Sequence, residues 1–172
     1  SQGLSFRSNL ARLMEALIAE NKIDKAKDII ELSLTQMPVK YFDFYTFAEP
    51  FLDGYYKVGE VEKARTLYAQ LKGIYQDHID YYAGLPLEEQ YVQAEQILSD
   101  LEAYKRIIDI VSFNNDIQIS EKESEEFRNE MQRIDFLNRG DFMEELSEPL
   151  ESYEMESGVD MSADAPLTGS IE

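Results

Sequence analysis

The chain has 172 residues, room for one domain and a tail, and its 44% apolar content is enough for a real core. A formal charge of −19 repels phosphate backbones and anionic lipid heads, which disfavours nucleic acid and membrane-surface partners. With no cysteine, disulfides, Cys-ligated zinc and a thiol nucleophile are excluded, and no stretch approaches the roughly 20 apolar residues of a membrane span.

In chain order, Leu10, Leu13, Leu17 and Ile18 recur at helical spacing and predict a first helix with those residues inward. Asn21–Lys22 is a turn, because Asn tolerates positive φ. Asp24 then places negative charge at the start of a second helix. Ala26, Ile29, Ile30 and Leu34 are its inward stripe, and Met37–Pro38 ends it, since a residue before proline resists the helical region. The first hairpin thus covers about 5–37. A second is predicted over about 41–80. Phe47, Phe51 and Tyr55 point inward, Gly59 turns the chain, and Ala64, Leu67, Leu71 and Ile74 form the returning face.

After Pro86 one long amphipathic helix is expected over about 87–113, with Tyr91, Ala94, Leu98, Leu101, Ile108 and Val111 on its inner face. It has no hairpin counterpart in the sequence and reads as a packing or capping helix for the repeats. "FNNDIQI" breaks it, and "SEKE" at 120–123 is a capping-box pattern opening a helix over about 120–138. Phe127, Met131 and Ile134 are its inner face and Gly140 its C-cap. Residues 1–140 form the helical domain. Residues 141–172 hold ten acids and no Lys or Arg, interrupted by Pro149, Gly158, Pro166 and Gly169. They read as an acidic, largely disordered tail with at most a short helix near 141–147.

The two hairpins repeat each other. "LIAENKIDKAKDII" (17–30) lies over "YYKVGEVEKARTLY" (55–68) at a constant offset of 38 residues, so that Asn21 falls on Gly59, Ile23 on Val61, Lys25 on Lys63 and Ala26 on Ala64. Alanine at 26 and 64 lets two antiparallel helices approach beside a short turn.

With these residues the sequence resembles a tetratricopeptide repeat. "YYKVGEVEKA" is close to that family's consensus, and Leu10, Leu13, Leu17, Ala26, Ile30 and Pro38 follow its pattern in the first copy. Met14 departs from it, where the family prefers a small residue, and Gln76 stands in place of the second closing proline. The usual period is about 34 residues, and "VKYF" after Pro38 accounts for the extra length. The resemblance implies a right-handed α-solenoid. A longer stretch, residues 7–85 from "RSNLARLMEAL" to "DHIDYYAGL", is similar to the C-terminal soluble region of a bacterial family of multi-pass membrane proteins of unknown function. The N-terminal part of that family looks like a protein O-mannosyltransferase. This implies that the chain is a C-terminal fragment on an aqueous face, periplasmic rather than cytoplasmic, with any glycosyl-transfer chemistry upstream.

Catalytic, metal and cofactor sites are not predicted. His78 is the only histidine; Asp77 and Asp80 beside it do not converge on a helix, so it reads as a surface residue at a helix end. Paired acids such as Glu88/Glu89 and Glu125/Glu126 sit on solvated faces, and no phosphate loop, nucleophile elbow or HExxH occurs. Most of the 11 Tyr and 9 Phe read as core. Tyr56 does not, because it points about 100° away from Tyr55.

The resemblance also implies a concave face made by the first helix of each hairpin, on which extended peptides bind. Its positions here are Ser8, Ala11, Glu15 and Ile18, then Thr46, Glu49, Asp53 and Tyr56. The carboxylate clamp of the best-known subclass uses Lys, Arg and Asn, whereas Ala11, Glu15, Glu49 and Asp53 stand here, so a basic or neutral protein segment is the expected partner. The candidate contacts are Glu15, Ile18, Glu49, Asp53 and Tyr56. The expected function is a non-catalytic interaction or scaffold domain. The alternatives are a purely structural cap for the parent protein and a glycan-handling accessory to its transferase-like part.

Overall fold

The computed structural model describes residues 2–39 and 45–139, and side chains from 6–39 and 47–139. The expected C-cap Gly140, the acidic tail 141–172 and the linker aromatics Tyr41, Phe42 and Phe44 lie outside the described residues. These are all-helical, with no strand among them: α1 (Gln2–Ala19), α2 (Ile23–Gln36), α3 (Glu49–Lys57), α4 (Val61–Ala83), α5 (Leu87–Val92), α6 (Ala94–Phe113) and α7 (Ile117–Met131). Short 3-10 turns at Tyr45–Ala48 and Leu137–Arg139 complete them. No helix among the described residues is long and apolar enough to cross a membrane.

The helices pair as three hairpins closed by one local device. Among the described residues, those with positive φ are Asn21 (φ 57°), Gly59 (φ 81°) and Asn115 (φ 58°). At each, the turn residue's N–H returns to the carbonyl three back (Ile18, Tyr56, Ser112), and the next N–H reaches five back (Leu17, Tyr55, Val111). This Schellman arrangement satisfies the last carbonyls of one helix and aims the chain into the next. Five residues after each turn residue stands a small buried one, Ala26, Ala64 and Ser120.

The third hairpin corrects the sequence reading. The helix expected to cap two hairpins pairs with α7, and the stretch "FNNDIQI" is a turn of the same kind as the first two. Two features hid it. The spacing from Gly59 to Asn115 is 56 residues, because α4 runs on to Ala83 and α5 is inserted. The third small residue is Ser rather than Ala. Ser120 therefore does not open a helix; it is buried inside α7, which starts at Ile117 and ends at Met131 rather than near 138. The helix expected over 87–113 is divided at Gln93 (φ −99°, ψ 12°) into α5 and α6.

Packing also rotates some expected faces. On α1, Leu10, Ala11 and Met14 are buried while Leu13 is 45% exposed. Ala11, expected on the concave face, is therefore core. Phe47 and Tyr91 are exposed, while Ile97, Tyr104 and Ile107 join Leu101, Ile108 and Val111 in the core, with Ala94 and Leu98 half-buried against it. Ala26, Ile30, Phe51, Tyr55, Ala64, Leu67, Leu71, Phe127 and Met131 are buried as their helical spacing requires; Ile134 is buried too, but beyond the end of α7.

The reason lies in α3. It is only nine residues long and touches α1, α2, α4 and α6, so Glu49 and every residue from Phe51 to Tyr55 is buried. α6 in turn packs on α3 and α4. Tyr75 of α4 stacks on Tyr104 of α6 at 5.6 Å, and Tyr104 meets the edge of Phe127 of α7 at 5.2 Å. Each such aromatic pair adds about 0.5–1.5 kcal/mol beyond the area it buries.

Candidate interaction surface

The concave-face residues expected on α3 are Glu49, Asp53 and Tyr56, spaced four and three apart, so they share one helix stripe. The structure brings them together, and it brings the third hairpin onto them. Arg106 of α6 donates from Nε to Glu49 Oε2 at 3.0 Å and from Nη2 to Oε1 at 3.4 Å, and the Tyr75 hydroxyl donates to Oε1 at 3.4 Å. Asn114 Nδ2 donates to Asp53 Oδ1 at 3.0 Å, and Lys57 pairs with the same carboxylate at 2.5 Å. The Tyr56 hydroxyl donates to Asp116 Oδ2 at 2.9 Å. Glu49 and Asp53 are buried and Tyr56 is half-buried.

Electrostatics follow from that enclosure. Burial pushes the Glu49 carboxyl above its ordinary range, and the Arg106 charge and the hydrogen bonds from Arg106 and Tyr75 pull it back only in part. Burial, then the Asp116 hydrogen bond, raises the Tyr56 phenol. The Arg65 hydrogen bond holds Asp116 below its usual value against some burial. Three of the five candidate contacts are thus engaged with the chain's own third hairpin.

Glu15 and Ile18 of α1 are half-buried and are the members of the set that no residue of the third hairpin is seen to hold. Burial raises the Glu15 carboxyl; Lys57 lowers it, Asp53 raises it and Arg12 lowers it. These influences mark Glu15, Asp53 and Lys57 as neighbours. The open stretch of the expected face is therefore a small, partly neutralised acidic patch beside Ile18.

On the opposite side of the first two hairpins, between α2 and α4, lies a cleft of about 590 Å³ that the sequence reading missed. Its walls are Leu34, Val39, Leu67 and Ile74. At one end Glu31 accepts from the Tyr55 hydroxyl at 3.1 Å and pairs with Lys63 at 2.6 Å. Lys63 lies in the aligned repeats and Glu31 one residue past them, but periodicity alone cannot say that the second helices stand apart here.

His78 is not the isolated surface residue expected. Its Nδ1 lies 2.7 Å from Asp100 Oδ2 on α6, where the Tyr82 hydroxyl also donates at 2.5 Å, while Gln96 Nε2 donates to Oδ1 at 3.1 Å. The Asp100 hydrogen bond raises the His78 pKa, with burial opposing. Asp100 was invisible beside His78 in sequence because the two stand on different helices. Among the described residues no group of three or more His, Cys, Asp or Glu is placed to hold a metal ion.

No family model, curated protein or solved structure matches this chain.

Proposed function

We propose that the chain is a non-catalytic interaction or scaffold domain of the tetratricopeptide type, its three hairpins stacked as a right-handed solenoid. The observation that carries this is the thrice-repeated hairpin turn at Asn21, Gly59 and Asn115 with its small residue five positions on. In a stack of such units each hairpin buries its neighbour's face and the residual edges are left for partners. The similarity of residues 7–85 to the soluble end of a mannosyltransferase-like membrane protein supports attachment to such a parent, on the periplasmic side.

The partner fitting the open patch is a basic or neutral protein segment that lays apolar side chains near Ile18 and a cation near Glu15. The test is an amide-shift titration of the 172-residue chain with three probes: a lysine-rich amphipathic peptide, its aspartate-rich analogue, and mannotriose. Saturable shifts at Glu15 and Ile18 with the lysine-rich peptide alone are expected. No response to either peptide would refute the reading, and a response confined to mannotriose would assign the domain to glycan handling instead.

A further inference from the structure

Two ion pairs set the register of α2 against α4. Lys27 reaches Glu60 at 2.7 Å, and Lys63 reaches Glu31 at 2.6 Å, so these two helices run side by side in the same direction. Beyond the second pair they part, and the cleft of about 590 Å³ opens between them. Its volume is that of a binding pocket, about 300–1,000 Å³. α2 ends at Gln36 while α4 continues to Ala83, so the α4 wall outruns its neighbour. Helical spacing says how that wall goes on. Lys63, Thr66, Leu67, Gln70 and Ile74 line the cleft and share one arc of about 100° on α4. Asp77 and Tyr81 fall within the same arc, and both are exposed. The cations beside Asp77 are engaged elsewhere, His78 with Asp100 and Arg133 with Asp80.

We propose that this cleft, continued along α4 to Tyr81, binds a peptide segment of a partner protein in which apolar residues are flanked on both sides by Lys or Arg. Charge chooses the flanks. At the narrow end both bonds to Glu31, from Tyr55 and from Lys63, fall on Oε1, which leaves Oε2 to a further cation. At the wide end stands the Asp77 carboxylate, and the exposed Tyr81 ring one turn on offers a face to the same cation. The middle chooses apolar residues, because Leu34, Val39, Leu67 and Ile74 wall it. Thr35 on one wall and Gln70 on the other suit a peptide backbone better than a hydrocarbon. Lys63 and Asp77 are 14 residues apart, about 21 Å of helix, which about six extended residues span. The net charge of −19 favours the approach of a basic segment and repels an acidic one.

The cleft lies across the hairpins from Glu15 and Ile18 and does not rest on them. The test is fluorescence anisotropy of the 172-residue chain with a labelled peptide that carries leucines and isoleucines between two pairs of arginines. Saturable binding that weakens with salt is expected. Asp77→Lys and Ile74→Ser should each lower the affinity about tenfold or more, with helical circular dichroism unchanged. Asp77 is exposed, so its replacement tests the site even where Ile74→Ser disturbs packing. Glu121→Lys, the same change of charge on α7, should alter the affinity less than about twofold. Amide shifts should map to Ile74, Asp77 and Tyr81. Shifts confined to Glu15 and Ile18 overturn the proposal and leave the other patch standing. No saturable binding up to about 1 mM overturns it, as does equal binding of an analogue with glutamates for arginines. If Ile74→Ser alone, without peptide, moves the amide signals of residues 141–172, the chain's own tail is the occupant and the proposal falls.

Discussion

Arg65 of α4 grips Asp116, at the turn between α6 and α7, with two parallel hydrogen bonds, Nε to Oδ2 and Nη2 to Oδ1, both 2.9 Å. The Tyr56 hydroxyl of α3 reaches the same carboxylate at 2.9 Å. One buried acid therefore ties the third hairpin to both helices of the second. A planar guanidinium and a carboxylate match in a way that fixes orientation as well as proximity.

Asp116→Ala should lower stability by about 2 kcal/mol, because hydrogen bonds to an ionised group are worth more than neutral ones. Tyr56→Phe should cost about 1 kcal/mol. Urea unfolding of the variants measures both. A neutral Tyr56→Phe would mean that the hydroxyl faces solvent and is free for a partner.

Gly54 lacks a side chain where α3 crosses α1. The Cβ of an alanine would stand 2.3 Å from Met14 Sδ and 3.0 Å from its Cε, and Met14 is itself fully buried. Gly54→Val should overpack the site and cost about 1–3 kcal/mol. Combined with Met14→Ala, which vacates the space, the loss should be smaller than the sum of the two single losses. A strictly additive double mutant would show that the two side chains do not compete for one space.

Ser120 occupies in the third hairpin the place of Ala26 and Ala64. Ser120→Leu and Ala64→Leu should therefore destabilise alike, each by about 1–3 kcal/mol, while Ser120→Ala should be tolerated. Thermal melts followed by circular dichroism compare the three. A harmless Ser120→Leu beside a damaging Ala64→Leu would break the equivalence of the hairpins.

His78 and Asp100 make stability depend on pH. The Asp100 hydrogen bond, opposed by burial, raises the folded His78 pKa above 6.5. Its contribution is fully present below the unfolded value and is lost as pH rises through the folded one. Burial works against the Asp100 carboxylate, but hydrogen bonds from His78 and Tyr82 outweigh it and hold its pKa below 3.8. That part is present above 3.8 and lost as pH falls through the lower folded value. The stability gap between the protein and His78→Gln should therefore be larger near about pH 5.5 than near about pH 9. Urea midpoints at the two pH values measure it, and equal gaps would exclude a charged His78–Asp100 pair.

Local chemistry decided what could be read in advance. Asn21 and Gly59 were legible as turns because positive φ is a property of the residue type, and Ala26 and Ala64 because close helix approach needs a small side chain. Asn115 and Ser120 carry the same signal, but it was obscured by the 56-residue spacing and by serine in place of alanine. The candidate contacts were legible as a stripe on α3, since helical spacing alone puts Glu49, Asp53 and Tyr56 on one side.

Whether that stripe stayed open was not legible. Arg106, Asn114 and Asp116 come from 57 to 61 residues further along the chain, and only the packing of α6 on α3 and α4 carries them there. The packing of α3 on α1 likewise chose Met14 over Leu13 for the core, because two neighbouring residues on a helix both fit a hydrophobic period and a crossing helix selects one. The sequence by itself determined an all-helical chain with its first two hairpin turns. Tertiary structure decided that α6 and α7 form a third hairpin, that three of the five candidate contacts are spent on holding it, and which side of α1 remains exposed. Turn geometry arises within five residues, whereas burial arises between helices distant in sequence.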